Sequence, residues 1–186
     1  MKGKHLPNLI TGFRLVLVLP IAWLILRDDY PAALALFFLA GASDALDGYL
    51  ARRHDWGTPL GAFLDPLADK ALMMTSYVAI AWQGQLPWWL SALVVLRDVL
   101  IMTGSLIYRR LTGELEMAPT SISKLNTALQ IALVLLVLIH QGLLPVAGVA
   151  ISVGVWLVAA TTLASGLVYV AVWGARARRI RRDGTI

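Results

Sequence analysis

No cysteine occurs anywhere in the 186-residue chain, which excludes disulfides and thiolate metal centres and leaves the redox compartment open. Charge is scarce as well. Asp, Glu, Lys and Arg make up 15% of the residues, against about 25% in an ordinary soluble chain. Histidine is limited to His5, His54 and His140; each falls at a segment end, where solvation is expected, and no two have the spacing of a metal-ligand pair. Internal repeats and low-complexity stretches are absent too. In place of charge there is apolar sequence, 59% of the chain, with a mean hydropathy of +0.73. The formal net charge of +5 is not the footprint of a nucleic-acid binder, because most cations lie in short links between apolar runs.

A membrane-crossing helix needs about 20 mostly apolar residues. Six segments qualify, at 7–26, 32–52, 62–82, 87–108, 121–141 and 145–172. The sequence therefore predicts one all-α, polytopic membrane domain over 1–186, with six transmembrane helices. Pro31, Pro87 and Pro145 stand at or just before helix starts, where a missing N–H costs nothing. Gly57-Thr58-Pro59, Gln83-Gly84-Gln85 and Gln141-Gly142 form breaks between spans, and Trp82, Trp88 and Trp89 flank one of them as an aromatic belt does. Lys2, Lys4, Arg52, Arg53, Arg109, Arg110, Lys124, Arg176, Arg178, Arg179, Arg181 and Arg182 fall on one side, and Arg27 alone on the other. Positive-inside bias then puts both termini in the cytoplasm of a bacterial-type inner membrane. The basic tail reads first as a topology anchor, with an affinity for anionic lipid headgroups as its second use. A cleaved leader is not expected, since no small-residue cleavage site follows a short apolar core.

Several charges break the membrane rule. Arg14, Lys70 and Arg97 lie inside the spans, with Asp44, Asp47, Asp65, Asp69 and Asp98. Each costs about 2.5–3.5 kcal/mol at a helix centre, so such residues mark function by default. Asp44 and Asp47 are three apart and Asp65 and Asp69 four apart, so each pair shares a helix face. With the two helices as antiparallel neighbours, at about 1.5 Å per residue, both pairs lie roughly 6–12 Å inward from the cytoplasmic ends. Unpaired, four like charges at one depth would repel and protonate. The nearby cations by sequence, Arg52 and Lys70, are too few to balance them. Divalent metal resolves the conflict, and an all-oxygen set favours Mg²⁺ or Mn²⁺ over zinc. Metal-bound carboxylates suit phosphoryl chemistry. Gly48 and Gly61 let a bulky ligand approach the backbone, and Arg52 has the fork for phosphate oxygens. An ion-coupled transporter is the rival class; it predicts inverted repeats and broken helices at the midplane, and neither is visible.

These residues resemble the signature of the CDP-alcohol phosphatidyltransferases, D-x2-D-G-x2-A-R-x8-G-x3-D-x3-D. Here it reads Asp44, Asp47, Gly48, Ala51, Arg52, Gly61, Asp65 and Asp69, with every spacing met. The resemblance implies that Asp44, Asp47, Asp65 and Asp69 ligate two divalent cations. It implies that Gly48, Ala51, Arg52 and Gly61 hold the CDP moiety of CDP-diacylglycerol. It makes Asp69 the general base for the acceptor hydroxyl and implies a homodimer; membrane lipids are the expected surroundings, and the placement of the cations argues for no nucleic-acid partner.

The segment Leu6-Pro7-Asn8-Leu9-Ile10-Thr11-Gly12-Phe13-Arg14 resembles two subfamilies that make anionic phospholipids, the phosphatidylglycerophosphate synthases and the eukaryotic-type cardiolipin synthases. Arg97-Asp98 and the run Ser123-Lys124-Leu125-Asn126-Thr127 look more like the second; the first usually carries another cation where Asn126 stands. Glycerol 3-phosphate brings roughly two negative charges, by analogy with phosphorylated side chains, and the diester phosphatidylglycerol brings one. One cation fewer suits the diester, so phosphatidylglycerol is the expected acceptor and glycerol 3-phosphate the alternative. Arg14, Arg97, Lys124 and Asn126 are the candidate acceptor contacts. The three cations have plainer readings: Arg14 snorkelling to the surface, Arg97 pairing with Asp98 or a signature aspartate, Lys124 as a topology charge. The roles of Lys70 and Asp98 are left open. Trp23, Trp156 and Trp173 read as interfacial bulk, and Glu114 and Glu116 as a solvated loop face.

Overall fold

The computed structural model describes residues 6–54, 59–112 and 120–182, with side chains described for 10–46, 48, 53, 64–105 and 120–171. Within these the chain is all helix: α1 (Leu6–Leu26), α2 (Tyr30–His54), α3 (Pro59–Trp82), α4 (Trp88–Thr112), α5 (Ser121–Gly142) and α6 (Gly148–Arg182). Three of them, α4, α5 and α6, contain stretches long and apolar enough to cross a membrane. In α1 and α2 the apolar stretches are shorter, Ile10–Leu26 and Tyr30–Leu46, and α3 is interrupted by Asp65, Asp69 and Lys70. The signature charges themselves shorten the apolar windows.

Two boundaries differ from expectation. Pro59, read as part of a turn, is the first residue of α3, a position where proline's fixed φ favours helix. The last helix starts at Gly148 and continues to Arg182, so the basic segment is helical, as its run of Ala and Arg favours.

The helices pack in a closed cycle, α1–α2–α5–α6–α4–α3 and back to α1, with α3 also touching α5 across the middle. One pair expected to be neighbours is not. Among the described residues α2 and α3 do not pack against each other; α1 lies against both.

The links α1–α2, α3–α4 and α5–α6 meet at one end of the bundle. α1 and α3 end in the same motif: Asp29 N–H bonds to Leu24 O and Asp28 N–H to Ile25 O, while Gln85 N–H bonds to Ile80 O and Gly84 N–H to Ala81 O. This motif needs a left-handed residue after the helix. Gly84 takes it at φ +72° and Asp28 at φ +59°. The penalty for a non-glycine there is about 1–2 kcal/mol, offset by contacts of the Asp28 carboxylate, which accepts from Gln83 Nε2 at 2.7 Å and from the Tyr30 hydroxyl at 3.1 Å. Gln83 also donates to Ile25 O and Leu26 O, and Gln141 donates to Gln85. At Gly142 a Cβ would stand 2.9 Å from Pro31 N, so this contact between α5 and α2 requires glycine. His140, expected to be solvated, accepts the Val146 N–H on Nδ1 at 2.9 Å and closes the α5–α6 turn.

Beneath this end lies the apolar core, with Ile25, Ala33, Ile80, Leu90, Val94, Val137 and Leu138 fully buried. Towards the other end the inward face of α5 turns polar: Ser123, Asn126 and Gln130 are buried on one stripe. Polar groups buried at this level act as ties between helices. Tyr77 donates its hydroxyl to Gln130 O, Ser91 donates to Tyr77 O, and Asn126 Oδ1 accepts from Thr161 and Thr162 of α6.

Candidate active site

The face of α1 that meets α2 and α3 carries Thr11 and Arg14, three residues apart and hence one turn apart on the same side. Both are buried, Arg14 to 1% exposure. Arg14 Nη2 lies 2.7 Å from Asp44 Oδ1 on α2, and Nη1 lies 2.6 Å from Asp69 Oδ1 on α3. Thr11 donates its hydroxyl to Asp65 Oδ1, one turn earlier on α3. α1 therefore reads the signature acids of α3 in register, Thr11 against Asp65 and Arg14 against Asp69. One guanidinium draws carboxylates from two helices to a single point.

Arg14 does not snorkel; it balances these acids, a role the sequence left to Arg52 and Lys70 as the nearby cations. The physical reason is the position of α1, inserted where direct contact between α2 and α3 was expected. Asp44 and Asp69 keep about half their side-chain surface exposed, 46% and 50%, so the point of convergence opens outward. Gly48 follows Asp44 by one turn on α2. The side chains of Asp47, Ala51, Arg52 and Gly61 lie outside the described residues.

Lys70, although next to Asp69, turns the other way. Its Nζ lies 2.7 Å from Asp98 Oδ2 on α4, and the other oxygen of Asp98 lies 2.6 Å from Arg97 Nη1. Arg97 Nη2 donates to Ser123 of α5 and Ser165 of α6, both at 2.6 Å. Asp98 is fully buried and Arg97 nearly so. One carboxylate thus serves two cations, and four helices are tied together just behind the acid site. Asn126, an expected acceptor contact, is buried, with its carbonyl oxygen engaged by α6 and its Nδ2 without a hydrogen-bond partner among the described residues. Lys124 is exposed in the first turn of α5. Thr11 and Ser165 were missed in the sequence; the signal for Thr11 was its spacing from Arg14, and Ser165 offered none.

The residue set matches one known family along most of its length. The family model for CDP-alcohol phosphatidyltransferases matches residues 4–175. The chain belongs to that family. Among proteins similar to this CDP-alcohol phosphatidyltransferase is a cardiolipin synthase (CMP-forming)/mitochondrial hydrolase fusion protein of Schizosaccharomyces pombe, 40% identical over 180 residues, covering 88% of this chain and 30% of that protein. The cardiolipin synthase (CMP-forming) of Rattus norvegicus is 35% identical over 147 residues, covering 69% and 48%. A probable phosphatidylglycerophosphate synthase of Mycobacterium tuberculosis is 34% identical over 176 residues, covering 90% and 80%. The matches to the two cardiolipin synthase relatives span only 30% and 48% of their lengths.

Members of this family are divalent-cation dependent, which raises the question of whether the residues fit. Among the described residues no three acids assemble around one point at ligand spacing, and the fourth, Asp47, has its side chain outside the description. The donor chemistry does fit. Asp44 and Asp69 present hard carboxylate oxygens, half-exposed, and already converge on one positive group. Such a set suits Mg²⁺ or Mn²⁺.

Proposed function

We propose that this chain transfers a phosphatidyl group from CDP-diacylglycerol to a hydroxyl of phosphatidylglycerol, giving cardiolipin and CMP. The observation that carries the reading is the convergence of Asp44 and Asp69, from the two halves of the signature, on the single buried Arg14. The relatives named cardiolipin synthase support the choice of reaction. So does Asn126: where a second acceptor cation would stand, the chain has a neutral side chain turned into the bundle.

In this reading Asp44, Asp47, Asp65 and Asp69 would hold two divalent cations. Bound there, such ions supply neutralisation of the phosphate oxygens and a steeper electrophilic pull on phosphorus. Asp69 accepts the proton of the acceptor hydroxyl. The freed oxygen forms a bond to the lipid-side phosphorus, the bond from that phosphorus to the CMP oxygen breaks, and CMP departs. Gly48, Ala51, Arg52 and Gly61 hold the CDP moiety. Arg14 keeps the Asp44 and Asp69 carboxylates close and compensated when no cation is bound. The same reading takes the chain as one membrane domain over 1–186, a homodimer. Six helices cross a bacterial-type inner membrane, with both termini and the acid site on the cytoplasmic side.

A second reading uses glycerol 3-phosphate as acceptor. It is favoured by the Mycobacterium tuberculosis relative, whose match covers most of both proteins. The deciding experiment offers the purified protein CDP-diacylglycerol and Mg²⁺ with either acceptor and identifies the lipid product by mass spectrometry. Cardiolipin from phosphatidylglycerol is the expected result. Phosphatidylglycerophosphate alone replaces the first reading with the second, and no CMP release with either acceptor rejects both.

A further inference from the structure

A slot of about 320 Å³ runs between α4 and α6 on the outside of the bundle. Leu96, Leu163 and Leu167 form its rims and are more than half exposed. Gly166 leaves it open, since a Cβ there would meet nothing within 4 Å. One wall does not belong on a lipid-facing surface. It is Arg97, 4% exposed, with Tyr169 beside it and 6.0 Å between the guanidinium carbon and the ring centre.

We propose that this slot holds an acyl chain of the anionic diacyl acceptor, on the side of Asp69 opposite the nucleotide; the inference rests on the phosphatidylglycerol reading above. Three observations support it. First, the slot is apolar along most of its lining, with Leu93, Leu100 and Ile101 of α4 facing Val170 and the rim leucines of α6, the surface that suits a hydrocarbon chain.

Second, the charge at its wall calls for an anion. Lys70 and Arg97 share the one carboxylate of Asp98, so within this group of three there is one cation in excess. The Arg97 Nε–H has no hydrogen-bond acceptor among the described residues. Arg97 bonds to Ser123, the third residue of α5, so the guanidinium sits level with the first turn of that helix, where the partial positive charge of its N-terminus adds to the excess. A phospholipid with its chain in the slot brings a negative headgroup towards that end.

Third, the slot lies on the correct side of the reacting group. Asp69 addresses α1 and α2 through Arg14, and the next residue, Lys70, reaches α4 through Asp98. In-line displacement brings the attacking oxygen from the side opposite the leaving group. With CDP on the α2–α3 face, the acceptor arrives from the α4 side.

The test uses the full chain in phosphatidylcholine vesicles doped with a phosphatidylglycerol that carries a photoactivatable diazirine in mid-chain. The lipid adducts are mapped by mass spectrometry. Expected are adducts on slot residues of α4 and α6, several-fold above those from the matching diazirine phosphatidylcholine, and their loss in Gly166→Leu, whose side chain enters open space. Equal labelling by both lipids, or labelling elsewhere, overturns the assignment. Kinetics provide the second arm. Gly166→Leu should raise KM for dioleoyl phosphatidylglycerol roughly tenfold, the effect of withdrawing about two methylenes from burial. KM for the dihexanoyl acceptor and for CDP-dioleoylglycerol should not move. A rise in KM for CDP-dioleoylglycerol assigns the slot to the donor and overturns the proposal, as does no change at all. Cardiolipin formation by the unmodified protein reports on the underlying reaction and labelling reports on the slot, so the two fail separately.

Discussion

The two ends of this bundle are built from different chemistry. At the end where three helix-to-helix turns meet, the chain uses neutral amides, left-handed caps and a glycine contact above a fully apolar core. At the other end the buried groups include ions, beside the neutral polar stripe of α5: Arg14 between Asp44 and Asp69, and Asp98 between Lys70 and Arg97. Apolar packing tolerates local change because no single contact contributes much; within a bilayer it reflects van der Waals fit, with little gained from leaving water. Buried ions behave otherwise. Their desolvation is costly, and removing one partner leaves a charge uncompensated. A single change at the charged end should therefore cost more than a single change at the turn end.

That contrast is broken most sharply at Asp69. Asp69→Asn should lower CMP release about 10²–10⁴-fold, the usual contribution of a general base, while circular dichroism and the size-exclusion profile stay unchanged. Turnover at the normal rate would remove Asp69 as the base. Next in size is Asp98→Asn. Asp98 is fully buried between two cations, so its loss should cost on the order of 3–5 kcal/mol, read as a large fall in the thermal midpoint in detergent. A midpoint near the parent's would show that the charged cluster does not tie the helices.

Arg14→Met sharpens the comparison further. Its two acids are half-exposed, so screening brings the loss below the buried-pair range, to roughly 1–3 kcal/mol. Added Mg²⁺ should restore much of it, because the ion compensates the same carboxylates. Melting curves with and without Mg²⁺ check this, and identical losses in both would argue against a shared site. The smallest effect belongs to the turn end. Gln83→Leu removes the amide held by Asp28, Ile25 and Leu26 and should cost about 1–2 kcal/mol, since its two N–H donors are shared among three acceptors, mostly exposed, and each falls in the lower part of the roughly 0.5–1.5 kcal/mol of a hydrogen bond. Its kcat should equal the parent's; a lower one would mean the two ends are coupled.

Helix number and approximate positions were legible in the sequence because apolar runs and proline or glycine breaks are local signals. Tyr30, Gln83 and Gly142 all occupy predicted breaks or their edges, yet their mutual contacts were not legible, since these link segments more than 50 residues apart. The acid site was half legible. The spacing of Asp44, Asp47, Asp65 and Asp69 announces a shared purpose. The identity of the counterion was missed, because Arg14 is 30 residues from Asp44 and 55 from Asp69 and no periodicity relates them. The helix contacts of Asn126 were not legible for a similar reason: its partners Thr161 and Thr162 lie on another helix.

By itself the sequence determined the helical class, the family signature and which charges interrupt the apolar spans, since composition, period and spacing are properties of neighbouring residues. Only the tertiary structure decided that α1 stands between α2 and α3, that Arg14 joins their carboxylates, and that Lys70 looks towards Asp98. Those outcomes depend on which helix faces which, and helix order around a bundle is chosen by packing and charge compensation over the whole chain at once.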